Sequence, residues 1–378
     1  MADKELQVRT LFQKMLEDAE EYKKTYEYYA EDMKDFNAKV QWRFGPIKGY
    51  QVFKGTEYSY GMDGEVENPD IVIECDDLNF VKQFLKNELD DMRDLAKADF
   101  EITSPNIADS AGTNAFRQLR ASISRIPAFR PLMEKNQGTQ STAVAIPINE
   151  SLGTYENQIL PLAVIEHFIN KASHIFLYEL CPCRVTRDCQ NFDHYAFGCM
   201  CLGRGVLRMK PNDGHIIQGH LATKEEALDM ARRAVEVGLQ PGFGRLRGDA
   251  VNRIGGPIPD TGDLFNLCYC CPCCCVVGSK EHGGIKDSPR YMREMFQRME
   301  GVTVTVDSEL CTGCEECLDV CVFGGMEFVD GKAVVNEMNC FGCGRCERAC
   351  PAGAISITME EDSVERMIAR IEAHVDVT

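Results

Sequence analysis

CTGCEECLDVC (311–321) and CFGCGRCERACP (340–351) are two copies of one pattern. Each spaces its cysteines C-x2-C-x2-C-x3-C. The first copy holds Cys311, Cys314, Cys317 and Cys321, and the second holds Cys340, Cys343, Cys346 and Cys350, followed by Pro351. Three thiolates spaced this way wrap a loop round one iron-sulfur cube while the fourth reaches across to another. Zinc knuckles are built from ligand pairs, and triplets ending in C-x3-C do not divide into pairs.

Composition points the same way. The chain has 378 residues, 44% of them hydrophobic, enough for two or three domains that need no disulfide stapling. No apolar run reaches the roughly 18 residues of a membrane span, and MADKELQVRTLFQKM has no apolar core for a signal peptide. A cytoplasmic location is therefore expected, where 20 reduced cysteines read as metal ligands before they read as disulfides. The net charge of −18 disfavours nucleic acid, because phosphate binding depends on Lys and Arg. It favours a redox partner that presents a basic face.

The doubled motif resembles the bacterial two-cluster ferredoxins, over about residues 302–358. By that resemblance one 4Fe-4S cluster takes Cys311, Cys314, Cys317 and Cys350, and the other takes Cys340, Cys343, Cys346 and Cys321. Val322 stands where the first repeat of that family often has proline, a change in a turn that leaves the ligands intact.

Of the further cysteines upstream, Cys75 stands alone in a strand and eleven lie in CPCRVTRDC (Cys181, Cys183, Cys189), GCMC (Cys199, Cys201) and LCYCCPCCCVV (Cys268, Cys270, Cys271, Cys273, Cys274, Cys275). Adjacent thiols on an extended chain point to opposite sides, so the last stretch cannot wrap a single cube. Several metals, or one irregular cluster, are expected: one or two further iron-sulfur clusters within 155–300, with a non-cubane cluster, structural zinc or a redox-active thiol set as alternatives. His174, His194, His215, His220 and His282 are available as single ligands, though a lone histidine is more often structural. Arg184, Arg187, Arg204, Arg208, Arg245 and Arg247 cluster near the cysteines, to offset anionic centres or to bind a phosphate-bearing substrate. The glycines of GFGRLRGD (242–249) miss the dinucleotide fingerprint, so no nicotinamide or flavin site is supported.

CPCR (181–184), Cys189, Cys199, TKEEALDMARRAVEVGL (223–239) and CYCCPCCC (268–275), ahead of a terminal two-cluster ferredoxin, resemble a family of anaerobic 4Fe-4S dicluster proteins. The resemblance implies electron transfer without supplying a reaction. Cys201 and Gln240-Pro241 depart from its pattern.

The fold class expected is α+β and multidomain. Residues 1–44 read as a helical segment stopped at Gly45-Pro46. Residues 45–125 read as a small α+β domain, with strands at GYQVF, EYSYGM, DIVIEC (70–75) and DFEITS (99–104), a hairpin turn at Asp63-Gly64 and a helix at 77–95. The order of hairpin, strand, helix and strand resembles the sterol-carrier-type lipid-binding fold, which implies a hydrophobic ligand or a docking role; a small domain with a filled core is the competing reading. A loop-rich linker (126–154) leads to a cysteine-rich metal domain (155–300), with helices at 155–173, 224–237 and 289–300. The two-cluster domain (301–358) and a C-terminal helix (359–378) follow.

Functionally, this describes an iron-sulfur protein that relays low-potential electrons to a partner oxidoreductase. A reductase with a catalytic, non-cubane centre and a scaffold subunit of a larger complex are the alternatives. No catalytic residue is assigned, and whether the chain is itself an enzyme stays open.

Overall fold

The computed structural model describes residues 2–90, 94–95, 98–104, 122–137, 142–145, 154–155, 158–159, 162–193, 196–209, 219–245, 262–275, 289–293 and 296–378. The chain forms two compact units, Met1–Gly138 with Asp287–Arg293, and Thr139–Lys286 with Glu294–Thr378. Among the described residues no helix is long and apolar enough to cross a membrane.

The first unit opens with the helix Ala2–Thr25, whose Val8, Phe12, Leu16 and Ala19 recur at helical spacing and are buried. Five strands follow: β1 (Asn37–Phe44), β2 (Ile47–Lys54), β3 (Glu57–Met62), β4 (Ile71–Cys75) and β5 (Glu101–Thr103). They assemble in the order β3-β2-β1-β4-β5, with β1 and β4 parallel.

Two expectations are corrected here. Residues 37–44 are strand, not the end of a helix, because Val40, Trp42 and Phe44 alternate and are buried on one face. Gly45-Pro46 consequently closes a β-hairpin in which Phe44 pairs with Ile47. Asp63-Gly64 turns no hairpin either: Gly55, at φ +58, closes β2 onto β3, and the chain after β3 crosses over to lie beside β1. The helix expected over 77–95 spans Leu78–Leu85, capped by Asp77 through the N–H groups of Asn79 and Phe80.

Phe12, Trp42, Phe44, Phe84, Phe100 and Phe129 fill the core, with Trp42 stacked on Phe129 at 5.9 Å. Trp42 Nε1 donates to Gln51 Oε1 (2.9 Å), Gln51 Nε2 to Tyr58 Oη (2.8 Å), and Tyr58 Oη to Leu16 O (2.9 Å). This buried chain of satisfied polar groups ties the sheet to the first helix.

The second unit is built on seven strands: β6 (Thr142–Ala145), β9 (Ile175–Tyr178), β10 (Met200–Leu202), β11 (Gly219–Leu221), β12 (Gln240–Arg245), β13 (Phe265–Cys270) and β14 (Phe296–Arg298). Their order is β11-β9-β10-β13-β12-β6-β14, so β13 lies in the middle. A separate hairpin, β7 (Thr154–Tyr155) with β8 (Gln158–Ile159), occupies the start of the helix expected at 155–173, which spans Leu162–Lys171. The helix Lys224–Glu236 forms as expected, with Glu226 N bonded to Thr223 Oγ1 at 3.2 Å and Gly238 at φ +85 ending it. The helix expected at 289–300 is confined to Arg290–Arg293 in the first unit, where the Arg290 N–H and the Arg293 guanidinium meet buried Asp32; Phe296–Arg298 then pairs as β14 with β6 in the second.

The paired cysteine repeats complete this unit with β15 (Val302–Val306), β16 (Met326–Val329), β17 (Lys332–Val335) and β18 (Ile355–Met359). β15 pairs with β18 and β16 with β17, so the two repeats interlock. The helix Ser363–Glu372 buries Val364, Met367 and Ile371 in a core shared with Phe168, Phe265, Val304 and Ile357. The repeats and the cysteine-rich segment therefore share one apolar core.

Phe129→Ala removes the ring stacked on Trp42 and is expected to destabilise the first unit by about 3–5 kcal/mol. Urea unfolding followed by the fluorescence of Trp42, the single tryptophan, measures this, with iron content unchanged.

Candidate metal centres

Each repeat turns its loop with residues at positive φ: Gly313 (74°) and Glu315 (64°) in the first, Gly342 (63°) and Gly344 (75°) in the second. A Cβ on Gly313 would lie 2.7 Å from Gly331 O, which explains the C-x-G-C spelling. Cys317 and Cys346 sit in the first turns of the short helices Glu316–Val320 and Arg345–Ala349, where backbone N–H groups lack helical partners. Gly325 N donates to Cys321 Sγ (3.1 Å) and Ala354 N to Cys350 Sγ (3.3 Å).

A pocket is lined by Cys340, Cys343 and Cys346 together with Cys321 from the other repeat. Val304, Phe323, Met326 and Phe341 form its apolar wall. Burial pushes the Cys343 thiol up to about 11, and burial followed by the charges of Cys343, Cys340 and Cys321 raises Cys346. Cys340, Cys343 and Cys346, all raised by burial, resist ionisation unless a metal core supplies the positive charge. The donor set therefore fits a thiolate-held cluster. In the first repeat Cys311 is held below the ordinary thiol range by hydrogen bonds from the backbone of Ala333 and Gly313, and Cys314 is exposed.

The cysteine-rich segment separates into two groups. Cys189, Cys271, Cys273 and Cys274 are buried, and their sulfurs all lie within 4.8 Å of one another. On the other side Cys181 hydrogen-bonds with Cys183 and Cys199, Cys199 with Cys268, and Cys270 with Cys275. Cys183 feels the charges of both Cys275 and Cys268, which joins these six thiols into one network. Hydrogen bonds from Cys183 and Cys199 bring Cys181 well below the ordinary thiol range, while the bond to Cys181, together with burial, raises Cys183.

Cys201 is directed elsewhere, with its Sγ 3.1 Å from Asn266 Oδ1. Cys75 is buried in the first unit, 3.4 Å from Ala98 O. His220 is engaged by Glu226 at 2.8 Å and His174 lies against Ser173, whereas His194, His215 and His282 lie outside the described residues. Gly242 and Gly244 sit inside β12, and 246–249 fall outside the described residues.

Sequence reasoning treated Arg184 as one of several arginines; the structure gives it a specific place. Its side chain is 0% exposed, donates to Tyr269 O at 3.2 Å and to Phe197 O, and leaves Nε without a protein partner. It thus joins the CPCR segment to β13 and to the approach to Cys199. Its charge favours the Cys181 thiolate. A buried guanidinium bonded only to carbonyls fits beside an anionic centre, since buried charges are ordinarily paired. Its signal in the sequence was its position directly between cysteines, in CPCR.

Residues 333–356 match the family model described as "4Fe-4S binding domain". The second repeat is thus a 4Fe-4S binding element. Over 93 residues the chain is 33% identical to formate hydrogenlyase subunit 2 of Escherichia coli (strain K12), covering 24% of this chain and 42% of that protein. It is 28% identical over 103 residues to an iron-sulfur protein of Rhodospirillum rubrum, covering 25% and 51%. Over 95 residues it is 28% identical to the electron transport protein HydN of E. coli K12, covering 24% and 54%. The chain spans about half the length of these relatives.

Arg184→Met should leave two buried carbonyls unpaired and Cys181 without its cation, a loss of about 3–5 kcal/mol. Anaerobic chelator challenge should strip metal from the cysteine-rich segment of this variant sooner than from the unchanged chain, with the 333–356 cluster retained.

Proposed function

We propose that this chain is an iron-sulfur electron relay in which electrons pass through two 4Fe-4S centres into the cysteine-rich segment and on to a partner oxidoreductase. The observation that carries this reading is the link between the second repeat and β13: Arg345 Nη2 donates to Cys270 O at 3.2 Å. The loop bearing Cys343 and Cys346 therefore abuts the strand bearing Cys268 and Cys270. Similarity to the electron transport protein HydN supports the same class.

The assigned roles follow. Cys311, Cys314, Cys317 and Cys350 hold the outer centre, reached through exposed Cys314. Cys340, Cys343, Cys346 and Cys321 hold the inner one. Cys181, Cys183, Cys199, Cys268, Cys270 and Cys275 hold the terminal iron-sulfur centre. Bound clusters supply one-electron chemistry, and the chain sets their potentials through N–H···S bonds and burial.

Around the outer loop, Glu309, Glu315, Glu316 and Asp319 are exposed, which favours a partner with a basic face. The strand order of the first unit supports the sterol-carrier resemblance, and the aromatic core favours docking over ligand storage. The likeness of the 181–275 segment to the anaerobic dicluster family is part of this proposal.

A second reading rests on thiol number. Six thiols exceed the four positions of a cube, which favours a larger centre able to reduce a substrate. Cyanide added to the reduced protein separates the readings: a changed paramagnetic spectrum supports an open, catalytic centre, and an unchanged one supports the relay.

The relay is tested by rapid-freeze spectroscopy after electrons are supplied to the outer face. Cys343→Ser should leave the outer centre reducible while the cysteine-rich centre fills far more slowly than in the unchanged protein. Equal filling in both proteins would show that the path avoids the inner centre.

A further inference from the structure

The four-thiol group differs in kind from the other cysteine sites. Thiolates around a cube bind four separate irons and stand well apart, whereas ligands of a single ion crowd together. A tetrahedral ion with bonds of about 2.3 Å sets its sulfurs about 3.8 Å apart. Here all four sulfurs lie within 4.8 Å of one another, and Cys189 Sγ is 3.5 Å from Cys273 Sγ. Cys274 N donates to Cys271 Sγ at 3.3 Å, and the backbone of Asn191 and Phe192 hydrogen-bonds to Cys189, so protein N–H groups already meet these sulfurs as they would thiolates.

We propose that Cys189, Cys271, Cys273 and Cys274 hold one tetrahedral zinc ion rather than an iron-sulfur cluster. All four ligands come from the protein and all are buried, as in a closed structural site with no position for substrate. Zinc is favoured over ferrous iron in a tetrathiolate site by its higher affinity for the same donors. The ion clamps the segment after helix Pro182–Thr186 to the turn 271–274. It thereby fixes the flanking Cys270 and Cys275, which belong to the six-thiol group.

The inference rests on the reading of this segment as metal-binding, and the experiment separates the two. The full chain is purified anaerobically from cells supplied with iron and zinc, then analysed for both metals, for sulfide and by zinc-edge X-ray absorption. One zinc per chain is expected, with four sulfur neighbours at about 2.3 Å and no iron neighbour. Cys189→Ser should lose that zinc and keep its iron and sulfide. The unchanged protein's absorption spectrum decides the coordination even if the variant folds poorly. Zinc-free protein whose Cys189→Ser form loses iron and sulfide would overturn the zinc assignment and leave the relay standing, as would a single iron at four sulfurs. If Cys189→Ser, Cys183→Ser and Cys270→Ser all left the metal content unchanged, the metal-binding reading of the segment would fall with it.

Discussion

The alternation of side chains along β13 is the constraint on which the second unit depends. A strand sends successive residues to opposite faces, so Cys268 and Cys270 go one way while Tyr269 goes the other, and Cys271, just past the strand, joins Cys189. The turn after the strand continues the sorting, giving Cys273 and Cys274 to the Cys271 side and Cys275 to the Cys270 side. Six cysteines within eight positions therefore fall into two thiol groups. The sheet fixes the register: Leu267 pairs with Met200, which sets Cys199, the residue just before the neighbouring strand, beside Cys268, the thiol to which it is hydrogen-bonded. A slip of one residue would exchange the two sets of thiols.

The interlocked repeats obey a different constraint. Their loops need left-handed residues next to the cysteines, and Cys321 of the first repeat is set among the first three thiols of the second. The helix Ser363–Glu372 then packs into the core beneath the cysteine-rich sheet, and His167 and Lys171 meet Glu372 across that contact. The paired repeats and the cysteine-rich sheet thus share one support within the second unit.

How far this was legible in the sequence varied with the kind of signal. The C-x2-C-x2-C-x3-C spacing is local and strict, and it led to the 4Fe-4S binding element. The capped helix at 224–236 was equally plain, because Thr223, Glu226 and Gly238 mark it within one short segment. Residues 37–44 were misread because helix-forming residues run on from the first helix, and the alternation of Val40, Trp42 and Phe44 was read as part of that run. The helices at 155–173 and 289–300 came out shorter because sheet pairing claimed their ends. The opposite directions of Cys270 and Cys271 followed from strand geometry, but the membership of each group depended on Cys189, Cys181 and Cys199, brought in from distant segments that no local pattern connects. Arg184 was visible only as one arginine among several until its buried carbonyl partners were known.

The most direct test of one strand serving two centres compares neighbours. Cys270→Ser and Cys271→Ser differ by one position in the chain and should disable different metals when iron, sulfide and zinc are counted in anaerobically purified protein. The account predicts that Cys270→Ser lowers iron and sulfide with zinc retained, and that Cys271→Ser lowers zinc with iron and sulfide retained. Loss of the same metal from both variants would contradict it.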